Sequence, residues 1–534
     1  MVHRADNPKP RAPLQLAERG YPDNLDARLL RIAGVCVLAS VMAILDATVV
    51  SVAQRTFIAQ FETTQAVVAW TMTGYTLALA TVIPLTGWAA DRFGTKRLFM
   101  GSVLFFTLGS LLCAMAPNIT LLVAFRVVQG LGGGMLMPLT FTILTREAGP
   151  RRLGRLMAVL GIPMLLGPIG GPILGGWLID TYAWEWIFLI NLPIGLLALV
   201  LAAVVFPKDD PQPAESFDFI GMLLLSPGLA AFLYGVSSIP AHGTVANRQV
   251  WIPASIGLVL IVGFMFHALF RADHPLIDLR LFKNRVLALA NATMFLFAVA
   301  FFGAGLLFPS YFQQLLGQTP MQSGLHLVPQ GLGAMATMPI GGRIMDKRGP
   351  GYVVLVGISL IATGMGTFAY GVYHQYPYTP VLLIGLAVMG MGMGCTMMPV
   401  SGSAVGTLAP HQVARGSTLI NVNQQVAGSI GSALMSVILT SQFNRSEYVS
   451  AAGKAAALRQ EAAKRGTHPD PRLLPPKVLE PNFMSHVTHD LTHAYAVVFA
   501  VAVGFVLATL IPAAFLPKKP PEVVPAQPVL AMAH

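Results

Sequence analysis

Charge is what this chain has least of. Asp, Glu, Lys and Arg make up 11% of its 534 residues, where a soluble protein carries about 25%. With 54% hydrophobic residues and a mean hydropathy of +0.66, the chain lacks the polar surface that would keep it in water. Soluble enzymes, nucleic-acid binders and disordered scaffolds are excluded at that step, whatever the net charge of +11 suggests. Cysteine is also scarce. Cys36, Cys113 and Cys395 each sit inside an apolar run, so they build no disulfide framework and read as small hydrophobic residues. Two motifs are missing as well. Without G-x-x-x-x-G-K-[ST], and with no room for a nucleotide domain, an ATP-driven pump is disfavoured. No histidine is followed by Glu and no G-x-S-x-G occurs, which disfavours an intramembrane hydrolase. The chain reads as a polytopic membrane protein, not an enzyme.

What is abundant is apolar sequence of spanning length. A membrane helix needs about 20 apolar residues, each rising ~1.5 Å through a ~30 Å core. Fourteen spans meet that requirement, at 30–53, 66–88, 97–116, 119–144, 153–179, 186–206, 218–238, 250–270, 287–314, 322–344, 351–372, 379–400, 413–441 and 491–516. The first run begins near Leu29 behind a polar head, too far from Met1 for a secretory signal, so span 1 is expected to stay. Short loops after even-numbered spans hold sixteen Lys and Arg, against two (Arg55 and Arg248) after odd-numbered ones. That bias puts both termini in the cytoplasm. Residues 442–490 carry seven basic residues and yet fall outside, as long loops do. Ser446 to Arg465 is Ala-rich, with Gly466 as C-cap, and predicts a short external helix able to dock a periplasmic partner.

The chain repeats itself. Gly87-Trp-Ala-Ala-Asp91-Arg92-Phe-Gly94 and Gly342-Arg-Ile-Met-Asp346-Lys347-Arg-Gly349 share the pattern G-x-x-x-D-[RK]-x-G at an offset of 255. Arg155 and Gly171 align with Arg415 and Gly431 at an offset of 260. Two parallel six-helix halves follow, with two helices inserted between them, an arrangement suited to rocking around a midplane site. The divisions are 1–28, a cytoplasmic segment; 29–206, the N-terminal half; 207–285, the inserted pair; 286–516, the C-terminal half; and 517–534, a cytoplasmic tail.

Six stretches carry a resemblance. They are Leu45-Asp46-Ala-Thr48-Val-Val in span 1, GWAADRFGTKR (Gly87–Arg97), Arg126-Val-Val-Gln129-Gly130, Gly171-Pro172-Ile-Leu-Gly175-Gly176, WEWIFLINLPIG (Trp184–Gly195) and PLIDLRLFKNR (Pro275–Arg285). In this order and on these spans, the chain resembles the fourteen-helix drug/proton antiporters of the major facilitator superfamily over nearly its whole length. It departs at Ser51, Gln54 and Arg55, where an Asn and a Leu-Pro pair are usual, and at Glu185, where Arg is usual. The resemblance implies an all-α major facilitator fold of two six-helix halves plus two inserted helices. It also implies a bacterial inner-membrane protein that exports lipophilic or cationic small molecules by alternating access. The proton gradient drives it, with no cofactor or metal. It is expected to be a monomer among membrane lipids, with no nucleic-acid partner. Export of a lipid or cell-envelope metabolite is the alternative.

Ionisable residues inside a bilayer are costly and functional by default. Asp46 lies about 22 Å from the inner surface and Arg126 about 12 Å below the outer one, at ~1.5 Å per residue. The two therefore sit at similar depth and can pair, as a proton-coupling couple or as a fixed packing pair. Gly87, Asp91, Arg92, Gly94, Asp346 and Lys347 form the expected gating loops, in which an acid caps the positive end of a neighbouring helix. Gly171, Pro172, Gly175 and Gly176, the antiporter motif, allow close packing and bending in span 5. Gln129, His326, Asn423 and Gln424 are candidate cavity residues, and the phenylalanines of span 9 offer an aromatic wall. His486, His489 and His493 recur on one helical face, as an interfacial helix start more readily than a metal site.

Overall fold

A computed structural model describes residues 26–148, 152–209, 216–239, 246–409, 412–464 and 474–519. Most of the terminal segments, Gly466 and most of the Pro-rich stretch before Pro476 lie outside them. In a bilayer each backbone N–H and C=O must be satisfied within its own segment, which leaves helices or closed barrels. The regular structure among the described residues is helical throughout.

Among the described residues, eleven helices are long and apolar enough to cross a membrane. They are α1 (Ala27–Val52), α3 (Thr95–Ala114), α4 (Ile119–Ala148), α6 (Trp186–Val205), α7 (Phe219–Ser237), α8 (Arg248–Phe270), α9 (Arg285–Leu315), α11 (Pro350–Tyr373), α12 (Tyr378–Gly406), α13 (Val413–Arg445) and α14 (Phe483–Ala514). The other three expected spans are helical too, two of them interrupted. In α2, Trp70–Val82 meets Thr86–Phe93 through the tight turn Ile83–Leu85, where Pro84 has no N–H to donate. Helix α5 runs unbroken over Leu153–Thr181. Helix α10 (Val328–Arg348) follows a separate short helix, Pro320–His326, and carries Arg343 within its length. Side chains cap several starts: Asp26 accepts from Leu29 N at 2.7 Å, Asn118 from Leu121 N at 2.9 Å and Asn284 from Val286 N at 3.0 Å.

The internal repeat of the sequence is also a repeat of packing. In the first half α1 packs on α4, α5 and α6, α2 on α4, and α3 on α4 and α6. In the second half α9 packs on α12, α13 and α14, α10 on α12, and α11 on α12 and α14. Each pairing recurs eight helices later. The halves meet through α5 against α10 and α12, and through α13 against the ends of α2 and α4. The inserted helix α7 lies across that second seam, touching both α2 and α13. Its partner α8 packs chiefly on α7 and is 17% buried, against 61% for α12. Its outward Ile256, Val259, Phe266 and Phe270 are what a lipid-facing surface requires. A further helix, Glu447–Lys464, follows α13 and leans on α14, close to the expected bounds.

Candidate functional site

Between the two halves lies a cavity of about 1460 Å³. It reaches Ser51 and Gln54 at the end of α1, and Gln318 and Thr319 ahead of α10. It therefore extends away from the end of the bundle that carries the basic loops. Its second-half wall is soft and apolar, with Phe297, Phe301, Phe302 and Phe308 of α9 beside Met365, Met389, Met393 and Met397. Unbranched, polarisable methionines adapt to varied shapes. Gln330, Asn421, Gln424 and Gln425 supply neutral polar groups, and among the described lining residues none is Asp, Glu, Lys, Arg or His. Of the four candidate cavity residues, only Gln424 lines this space. Asn423 instead donates to Asn291 O at 2.9 Å, tying α13 to α9. His326 stacks on Phe312 with ring centres 5.1 Å apart, and its Nδ1 lies 2.8 Å from Gln322 O. Gln129 is buried in the polar network described next.

Asp46 and Arg126, expected at similar depth, are in contact: Arg126 Nη1 donates to Asp46 Oδ2 at 2.5 Å, and the residues are 1% and 0% exposed. A charge pair so deeply buried needs further hydrogen bonds to offset its desolvation. Gln129 Nε2 donates to Asp46 Oδ1 at 2.8 Å, and its Oε1 accepts from Arg126 Nη1 at 2.5 Å. Asn191 Nδ2 donates to the same Asp46 oxygen at 3.0 Å and to Ser110 Oγ at 2.9 Å. Arg126 Nε donates to Thr71 O at 3.0 Å, and the guanidinium carbon lies 4.0 Å from the Tyr75 ring centre. Five helices of the first half thus supply the cluster. It holds Asp46 as an acceptor for three side-chain donors, outside the cavity wall yet one side chain away from it.

At the basic end the halves are locked. Asp346, in the second copy of the repeated motif, accepts from Arg155 Nε at 3.0 Å and from Arg155 N at 3.3 Å. It sits on the first turn of α5, where helix N–H groups favour an anion. Asp91, in the first copy, accepts from Arg146 Nη2 at 2.8 Å. Its carboxylate also acts on Arg415, in the first turn of α13, across the other seam. Gly87 lets the chains meet there, since a Cβ on it would stand 3.3 Å from Arg415 Cα. The expectation of an acid capping a neighbouring helix thus applies to Asp346. At the start of α3 the cap is Asp209, which accepts from Lys96 N at 2.8 Å and Arg97 N at 3.0 Å. Gly94 and Gly349 have φ of +89° and +84°, the left-handed region that excludes most side chains. Arg92 and Lys347 are exposed.

The sequence of residues 36–432 matches the family model described as Major Facilitator Superfamily. The chain belongs to the major facilitator superfamily. It is 68% identical over 502 residues to the multidrug resistance protein B homolog of Mycobacterium tuberculosis H37Rv, covering 94% of this chain and 92% of that one. It is 28% identical over 411 residues to the multidrug export protein EmrB of Escherichia coli K12, covering 76% and 79%. Two solved structures share the fold. The human organic anion transporter MFSD10 aligns with a TM-score of 0.57 at 15% identity, over 90% of this chain and all of that one (100%). The proton:xylose symporter XylE aligns with a TM-score of 0.53 at 15% identity, over 92% and 96%.

Within this superfamily member the glycines of the span-5 motif differ in what they meet. Gly171 and Gly175 face α1. A Cβ on Gly175 would stand 2.9 Å from Val49 Cγ1, and one on Gly171 would overlap the Thr48 hydroxyl. Gly176 has nothing within 4 Å, and the Pro172 side chain lies outside the described atoms. Several residues of the site carried no assigned role in the sequence, Thr71, Ser110, Asn191 and Tyr75 among them. Asn191 was visible only as one amide in the apolar run LINLPIG, and Tyr75 gave no signal at all, being an aromatic residue among apolar ones. His486, His489 and His493 lie within the first turns of α14; His486 stacks on Tyr448 at 4.7 Å, and the His493 ring is tilted against Tyr373 at 5.7 Å.

Proposed function

We propose that this protein exports bulky lipophilic small molecules across the plasma membrane by alternating access, in exchange for protons taken up at Asp46. The carrying observation is the large cavity, with no charged residue among its described lining residues, beside a buried Asp46–Arg126 pair. A substrate in that cavity meets no countercharge, so burial of its apolar surface must supply the affinity, at roughly 25 cal/mol per Å². Neutral molecules and cations with spread charge fit this wall better than compact dications, which pay desolvation without a partner. With the basic end cytoplasmic, the conformation is open outward and closed inward by the Asp346–Arg155 contact. Protonation of Asp46 cancels its attraction for Arg126, loosens α1 from α4 and lets the halves rock. The names of the relatives support multidrug export.

The test is efflux from proteoliposomes under an imposed pH gradient, wild type against Asp46→Asn. Gradient-driven efflux of lipophilic dyes that the mutant loses is the expected result. Equal transport by both proteins overturns the coupling role of Asp46. If wild type moves no dye, export of a lipid or envelope metabolite takes precedence.

A further inference from the structure

Asp46 must exchange protons with water, yet it is 1% exposed and does not line the cavity. Ala43 and Ala47, on the same helix, do line it. What separates the carboxylate from that space is therefore thin, and one side chain belongs to both regions. Tyr75 lines the cavity, and its ring centre lies 4.0 Å from the guanidinium carbon of Arg126. The same guanidinium carbon lies 5.8 Å from the ring centre of Phe188. Tyr75 is itself only 3% exposed.

Two glycines of α4 seat it. A Cβ on Gly130 would stand 2.6 Å from Tyr75 O, and one on Gly133 would stand 3.1 Å from the Tyr75 hydroxyl. Backbone and ring tip are thus both received by positions that lack side chains, which places the ring closely over Arg126. Arg126 Nη2 meets no acceptor among the described protein groups. An unpaired buried donor is an expensive group, and water is its natural partner. Tyr75, which lines the cavity on one side and covers the guanidinium on the other, is the residue positioned to control water's access.

We propose that Tyr75 is the proton gate of the Asp46–Arg126 site: its ring bars cavity water from the pair, and its displacement admits the proton that Asp46 binds. This rests on the proton-coupling role of Asp46 stated above. When the ring moves aside, water reaches Arg126 Nη2 and Asp46, and a hydronium ion passes its proton to the carboxylate, leaving neutral Asp46 and water. Return of the ring encloses the protonated site. Tyr75 acts by position: the aromatic ring is the barrier, and the hydroxyl need not carry the proton. A substrate filling the cavity presses on this same wall, which gives cargo and proton a shared element.

The gate is tested by proton leak, without substrate, in proteoliposomes loaded with a pH-sensitive dye under an imposed potential. Wild type and Tyr75→Phe, which keep a ring, should be tight. Tyr75→Ala should leak about 10- to 1000-fold faster, since a minor open state of ~0.1–10% becomes the main one. Asp46→Asn added to Tyr75→Ala should restore tightness. A tight Tyr75→Ala protein that elutes as a folded monomer overturns the proposal, as does a leak that survives Asp46→Asn. Should Tyr75→Ala fail to fold, Tyr75→Leu, which leaves a smaller gap, is read by the same criteria. Dye efflux by wild type and Asp46→Asn, measured in the same vesicles, reports separately on the coupling itself.

Discussion

Neutralising Asp346 should open the basic end by a calculable amount. Asp346 and Arg155 lie in opposite halves, joined by contacts of 3.0 and 3.3 Å, with side chains 8% and 25% exposed. A fully exposed pair is worth about 0.2–1 kcal/mol, and a hydrogen bond to a charged group about 1.5–3 kcal/mol. One partner here is nearly buried and the other a quarter open, so about 1–2 kcal/mol is reasonable, most of it absent once the halves separate. Asp346→Asn keeps the shape and removes the charge. The equilibrium should then move toward the state open at the basic end by roughly 5- to 30-fold, at 1.4 kcal/mol per factor of ten. Pulsed spin-label distances between the ends of α5 and α10, in nanodiscs, read those two populations directly. Unchanged populations with a well-folded mutant would refute the reasoning, because the contact would then be equal in both states.

Two further outcomes follow from the site. Gly171→Val should press on Thr48 of α1, whose hydroxyl already occupies the space of a Cβ. Overpacking of this kind costs about 1–3 kcal/mol, so thermal unfolding in detergent should fall by several degrees and transport should be lost; an unchanged melting temperature would show that α1 and α5 give way freely. Gln424→Glu places a carboxylate in a wall that has none among its described residues. Compact cationic dyes should gain affinity relative to neutral ones in equilibrium binding, and an unaltered ratio would show that substrates bind away from α13.

The fold was legible because its determinants are local. Span length and a motif repeated at an offset of 255 both survive in one dimension. The repeated glycine is an example: Gly94 and Gly349 take the same left-handed φ because each ends a helix in the same way. Depth along a helix is also nearly a linear quantity. Hence Asp46 and Arg126 could be placed level with each other before their 2.5 Å contact was known.

Azimuth is not linear, and there tertiary structure decided. Asn423 and Gln424 are neighbours in sequence at the same depth, yet one bonds to α9 and the other lines the cavity, because adjacent residues point about 100° apart on a helix. The same holds for the span-9 phenylalanines, of which Phe312 joins an aromatic cluster with His326 and Tyr378 while Phe308 also reaches the cavity. Partners brought together over 145 residues, such as Asn191 on Asp46, exist only after five helices have packed. By itself the sequence determined that this chain spans the membrane as two related halves with a buried acid and base in the first. Which face of each helix turns inward, and so what surrounds Asp46, was decided by helix packing, since rotation about a helix axis is set by the neighbours and not by the residues along it.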